Sequence, residues 1–207
     1  MKKKLTSKFL PVSGLLIISL FFLLPLVNNY FYLSHDGEAH VARFAAYFKA
    51  FLDGQIPLRW AGNLNYGYGS PVFIFYYPLP GVLSILLHLL GISFENSFKI
   101  LIGFFFMFSF ITFYIWTKEV VKKETAFLGS LFYGLVPYHF LNLYVRGDVA
   151  ELAALAIAPL VFFCIDKFIQ TKAKKFIILG AFFYAFLVLS HNSVSLMFSP
   201  VLFFYSI

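Results

Sequence analysis

Charge is scarce in this sequence. Only 12% of its 207 residues are charged, and just 9 are acidic. Set against 61% hydrophobic residues, 30 Phe and 13 Tyr, so few charges cannot coat a globule, which excludes an ordinary soluble domain. Cysteine is rarer still. Cys164 stands alone inside an apolar run, so no intramolecular disulfide can form and the residue says nothing about compartment. A small-x-small cleavage site is also missing. The first apolar stretch is followed only by Asn28-Asn29-Tyr30-Phe31-Tyr32, which favours an uncleaved signal anchor over a removed signal peptide. Nucleic acid is excluded as a partner despite a net charge of +7, because the lysines flank apolar runs as topogenic charges.

What the chain has in abundance is apolar length. Its mean hydropathy is +0.84. Apolar runs lie at 9–31, 72–90, 98–117, 125–143, 149–168, 176–190 and 194–207. Several approach the roughly 20 residues that cross a bilayer core. The expected fold is all-α: a polytopic transmembrane helical bundle in the cell membrane, one membrane domain over 1–207. The last run stops short of a span, so an N-terminal fragment is expected, completed by a C-terminal half or a partner subunit.

Topology turns on whether 72–90 crosses. If it does, six of the 16 basic residues fall inside. If it stays on the outer side, eleven do: Lys2, Lys3, Lys4, Lys8, Lys118, Lys122, Lys123, Lys167, Lys172, Lys174 and Lys175. The positive-inside rule selects the second arrangement, with a cytoplasmic N-terminus. Pro71, Pro78 and Pro80 agree, since each removes a backbone donor and interrupts helix. Residues 32–97 then form a first outer loop and about 144–148 a second, with Ser190-His191-Asn192-Ser193 on the same face.

Two polar islands stand out against the apolar background. The first is His35-Asp36-Gly37-Glu38-Ala39-His40. Apolar Val41, Phe44, Ala45, Phe48, Phe51 and Leu52 recur at helical spacing behind it, which predicts a helix from Gly37 to Leu52 stopped by Asp53-Gly54. Asp36 sits at its N-cap position. His40, Arg43 and Tyr47 share one face, expected to turn towards water on an amphipathic juxtamembrane helix. Capping plus solvation would account for the island. Two carboxylates, two imidazoles and a guanidinium within about two turns are also equipment for general-base work or for holding a cation.

The loop goes on through Arg59-Trp60 and Asn63-Leu64-Asn65-Tyr66-Gly67-Tyr68, a turn-rich stretch that suits sugars or headgroups as well as it suits an interfacial aromatic belt. The second island is Tyr144-Val145-Arg146-Gly147-Asp148-Val149-Ala150-Glu151. Asp148 and Glu151 stand at a helix start, where the dipole favours carboxylates. Arg146 is read as a partner for a phosphate or for the first island's acids. His191, beside Asn192, completes the set; His88 and His139 read as interfacial.

The segments HDGEAHVARF, GQIPLRWAGNLNYGYGSPVFIFYYPLP, YGLVPYHFLNLYVRGDVAE and SHN resemble the membrane family called 6-pyruvoyl-tetrahydropterin synthase-related, akin to YfhO-like proteins. The chain also resembles the N-terminal half of GT-C polytopic glycosyltransferases. The zinc-binding histidine set of a soluble pterin synthase is not visible in it. The GT-C resemblance implies transfer of a sugar from a polyprenyl-phosphate donor on the outer membrane face. It implies Asp36 as the catalytic acid-loop residue, with Glu38 and His40 in support. Arg43, Arg59, Tyr66, Arg146, Asp148, Glu151 and His191 would bind substrate. Asp-Gly-Glu stands here where the class has Asp-Glu or Asp-x-Asp, and a divalent cation (Mg or Mn, on Asp36 and Asp148) is left open. The expected partners are a lipid-linked sugar donor and membrane lipids. The alternative from another class is a non-catalytic lipid- or polysaccharide-handling protein, such as a flippase or export component.

Overall fold

The computed structural model describes residues 2–28 and 30–207, with side chains from Leu10 onward. The side chains of Lys2, Lys3, Lys4 and Lys8, and Asn29 after the first apolar stretch, lie outside the described residues. The rest is all-α: ten helices and no strand among the described residues.

Helix α1 (Lys2–Leu23) continues into a short 3-10 turn, and the chain leaves the bundle near Asn28. It returns as α5 (Phe94–Thr117), which packs on the first passage through a shared apolar core, and Lys99 Nζ donates to the Asn28 carbonyl at 2.9 Å where they meet. Between them lie α2 (Gly37–Leu52), α3 (Val72–Phe75) and α4 (Leu79–Leu89), so everything from residue 30 to 93 belongs to one end of the bundle. The predicted bounds of α2 match. At 11 residues, α4 is about 16 Å long, too short to cross a bilayer core.

The expected single helix over 125–143 is broken. It divides into α6 (Lys123–Gly134), α7 (Pro137–Phe140) and a π-helical turn over Leu141–Arg146. Pro137 is the cause: Val136 before it is extended at φ −60°, ψ 140°, as proline's ring demands of its predecessor. Then come α8 (Val149–Thr171), α9 (Lys175–Ser190) and α10 (Asn192–Tyr205), the last two separated by His191 alone.

Helices α5 and α8 are long and apolar enough to cross a membrane; the apolar parts of α1, α4, α9 and α10 are shorter. They run the same way. His40 stacks on Phe98 near the start of α5, and at the far end Trp116 Nε1 donates to Asp166 at 2.8 Å while Lys167 pairs with Glu119 at 2.5 Å. Lys118, Lys122, Lys123, Lys172, Lys174 and Lys175 follow at that far end, around the α5–α6 and α8–α9 connections. Helix α8 is the axis of the bundle, packed between α5 and α9. Its buried Ala150, Ala153, Ala154, Ala156 and Ala158 let neighbours approach closely, which is what holds helices together where lipid offers no hydrophobic drive.

Candidate functional site

The two islands are docked by their backbones. His35 N–H donates to the Val145 carbonyl at 3.0 Å and Asp36 N–H to the Arg146 carbonyl at 2.7 Å. Gly147 makes this possible. It takes the left-handed φ of +69°, and a Cβ there would stand 2.5 Å from Ser34 Oγ and 3.1 Å from the Gly37 nitrogen. Only glycine gives both the backbone conformation and the room.

Around this junction opens a polar cavity of about 360 Å³, lined by Asp36, His40, Arg43, Tyr76, Tyr77, Arg146, Asp148, His191 and neighbours. Residues about 155 positions apart in sequence therefore share one space. Glu38 is exposed and does not line it, and neither do Arg59 and Tyr66; Tyr66 is 99% exposed.

Asp36 occupies the N-cap position of α2, but its side chain makes no capping bond. Capping therefore does not account for it, and the carboxylate is left for the cavity. The polar stripe of α2 is likewise turned the other way from its expected solvent orientation. His40 and Tyr47 are buried, because Phe98 of α5 and Phe73 of α3 close over that face with stacked rings at 6.1 and 4.0 Å. Arg43 lies 3.9 Å over the Tyr76 ring and has no carboxylate partner among the described residues.

Burial, then the positive charge of Arg43 and the nearby His191, push the His40 imidazole down to about 3, so it is neutral near pH 7. The unfolded chain takes up that proton below pH 6.5 and the folded chain does not. Stability attributable to His40 is thus complete above pH 6.5 and falls as pH drops towards 3, by up to about 1.4 kcal/mol per pH unit. His40→Gln should flatten this slope, measured as thermal unfolding between pH 7 and 4; an unchanged slope would assign the acid sensitivity to other groups.

The second island is internally satisfied. Asp148 Oδ1 caps α8 by accepting from Glu151 N–H at 3.0 Å, and its Oδ2 accepts from Arg146 Nη2 at 3.0 Å. Arg146 Nη1 also donates to Glu151 Oε2 at 2.5 Å and to Asn142 Oδ1 at 2.8 Å, while the Tyr138 hydroxyl donates to Glu151 Oε1. Arg146 is therefore the partner of its own island's acids, a correction to its expected pairing with those of the first island. The π-helical turn and the left-handed Gly147 fold the guanidinium back over both carboxylates. Burial pushes the Asp148 carboxyl up, against the lowering effects of the Glu151 N–H, His191 and Arg146.

Asp148, Glu151 and His191 each place one potential ligand atom within 4.8 Å of the others. The donor chemistry does not fit a divalent ion. Arg146 already supplies the positive charge, and His191 Nδ1 accepts from Val194 N–H at 3.2 Å, which leaves the ring proton on Nε2 as a donor. Asp36, the other metal option, is not in this cluster. His88 is structural, stacked on Phe94 at 3.9 Å, and His139 is buried.

Sequence spacing missed Tyr138 and Asn142, and it marks Tyr76 and Tyr77 only as part of a tyrosine-rich loop that offers stacking faces to sugars or headgroups. Tyr77 stacks on His191 at 4.7 Å, an encounter no local pattern announces. Asn142 had a signal, lying four residues before Arg146 on one helical face.

An all-α bundle with two span-length apolar helices and a charged cavity at one end fits a helical membrane protein. More narrowly, the chain belongs to the 6-pyruvoyl-tetrahydropterin synthase related domain family, a membrane protein family, whose model matches residues 73–207. It is similar to an uncharacterized protein of Lactococcus lactis subsp. cremoris (strain MG1363), 24% identical over 196 residues, which cover 92% of this chain and 32% of the relative. The chain thus spans about a third of that protein's length. No solved structure matches.

Proposed function

We propose that the chain forms the acceptor and phosphate site of an integral membrane glycosyltransferase of GT-C type, which takes its sugar from a polyprenyl-phosphate donor. The remainder of the donor pocket would come from further sequence or a partner subunit. The cavity end faces outward and the N-terminus is cytoplasmic, because the lysine-rich opposite end belongs inside.

The observation that carries this is a pair of unpartnered opposite charges on one helix face. Asp36 and Arg43 both line the cavity with no salt-bridge partner among the described residues. Seven residues of helix separate them by about 10 Å. An in-line displacement needs about that length: a base-to-hydroxyl bond, a near-attack approach to the anomeric carbon, the scissile oxygen and phosphorus, and a charge-assisted bond to the phosphate. Asp36 takes the acceptor hydroxyl proton as oxygen attacks the anomeric carbon. The sugar–phosphate bond breaks, and the phosphate leaves with the electron pair, stabilised by Arg43. Attack opposite the leaving group inverts the anomeric centre. Neutral His40 and the neighbouring His191 orient the acceptor, and Asp148 with Arg146 fixes the far wall. Glu38, Arg59 and Tyr66 take no part.

Arg43 tests the phosphate end. In a titration of the detergent-solubilised protein with a short-chain polyprenyl phosphate, read by native mass spectrometry, Arg43→Gln should weaken binding roughly tenfold or more. Equal affinity in the variant would remove Arg43 from the donor site.

A further inference from the structure

A second cavity lies behind the wall of the first. Residues Phe75, Tyr76 and Tyr77 line the polar cavity, whereas Phe73, Ile74 and Pro78 of the same segment line an apolar groove of about 670 Å³. The groove runs between the end of α2, the following loop and α4, past Phe51, Leu58, Val82, Leu86 and Leu89, and one charged side chain lines it, Arg59. Its volume is that of a small-molecule site.

The loop that carries Arg59 is built, not slack. Gln55 Oε1 accepts from the backbone N–H of Arg59 and of Trp60 at 3.3 and 3.0 Å, and its Nε2 donates to the Trp60 carbonyl at 3.0 Å. Ala61 and Ser70 exchange both backbone bonds, at 2.9 and 3.1 Å. The Trp60 indole occupies the space a Cβ on Gly69 would need, 2.4 Å from that position. The backbone of Arg59 is therefore held at the groove, and its side chain is exposed and without a carboxylate partner among the described residues.

We infer that this groove binds an anionic membrane phospholipid, with an acyl chain along the apolar floor and the phosphodiester on Arg59. Charge complementarity selects the occupant. From Gly54 to Ile92 the sequence has no Asp, Glu or Lys, so Arg59 is its one full charge, and the carboxylate just before it, Asp53, is paired with Lys49. The surroundings are apolar in a way water does not favour: Ile56 is 86% exposed, Leu86 56% and Leu89 57%. A cation beside exposed apolar surface matches the headgroup–acyl boundary of an anionic leaflet. The polar cavity has its own cation in Arg43, so the two sites do not compete for one phosphate. The lipid site stands whether or not the cavity transfers sugar.

Trp60 is the reporter. The chain has two tryptophans, so Trp116→Phe leaves Trp60 alone. The protein is reconstituted in phosphatidylcholine vesicles containing a small fraction of acyl-brominated phosphatidylglycerol, and quenching gives the relative binding constant of the anionic lipid. A preference of about fivefold is expected, falling to about one in Arg59→Gln. Val82→Phe, which fills the groove from an exposed position, should reduce quenching with the charge intact. Quenching no greater than the bulk lipid fraction, or a preference unchanged in both variants, overturns the site. Displacement of the brominated lipid by equimolar polyprenyl phosphate would also overturn it, by making the groove the seat of the donor's tail.

Discussion

Asp36→Asn in the full-length protein should lower sugar transfer by about 10²–10⁴, the usual contribution of a positioned general base. Asparagine keeps the shape of the side chain and loses only the ability to accept the acceptor's proton. The fold should hardly notice, because the Asp36 side chain forms no capping bond and what ties this residue to the second island is its backbone N–H on the Arg146 carbonyl. Thermal stability within about 0.5 kcal/mol of the parent is therefore expected alongside the loss of activity. Donor binding should survive, since Arg43 is untouched. Glu38→Gln is the companion control: Glu38 is exposed and outside the cavity, so transfer should be near normal. Full activity in Asp36→Asn would eliminate Asp36 as the base; absence of transfer in the parent protein itself, with lipid binding retained, would leave a headgroup-handling protein of the flippase or export kind.

The largest expected effect on stability comes from Arg146. Asp148 and Glu151 are buried, with side chains only 6% and 9% exposed, and the one guanidinium bridges them. Arg146→Met leaves two uncompensated carboxylates in a poorly hydrated place, which typically costs about 3–5 kcal/mol. For a chain of this size that corresponds to a fall of roughly 10 °C in melting temperature. Arg146→Lys should not rescue it. One ammonium cannot reproduce a fork whose Nη1 meets Glu151 and Asn142 while Nη2 meets Asp148. Removing the charges together with the cation, as Arg146→Met, Asp148→Asn and Glu151→Gln, should recover much of the loss, because the penalty lies in unpaired charge rather than in absent bonds. A melting curve for Arg146→Met that overlays the parent's would show that this cluster does not hold the end of the bundle.

Several features of this site were legible from local pattern. The α2 helix could be bounded at Gly37 and Leu52 because apolar spacing and a terminal Asp53-Gly54 are short-range signals. Failure of 72–90 to make a spanning helix followed from its prolines, and the structure gives only α3 and the 11-residue α4 there. The direction of the α2 polar stripe was not legible. Helical spacing says which residues share a face, but a face meets water or protein according to what packs on it, and Phe98 lies far along the chain. Arg146 misled for a related reason: its partners two and five residues ahead come within reach only through a π-helical turn and a left-handed glycine.

Composition by itself determined that this chain is a helical membrane protein, since too few charges exist to solvate so much apolar surface, and in lipid a single chain segment must satisfy its backbone within its own helix. Charge distribution along the sequence also assigned the lysine-rich connections to a common side. Tertiary structure alone decided which charges are spent on one another and which remain free. Arg146, Asp148 and Glu151 neutralise each other, while Asp36 and Arg43 line the cavity without a salt-bridge partner among the described residues, because ion pairing depends on distances of a few ångströms between residues that sequence separation does not encode.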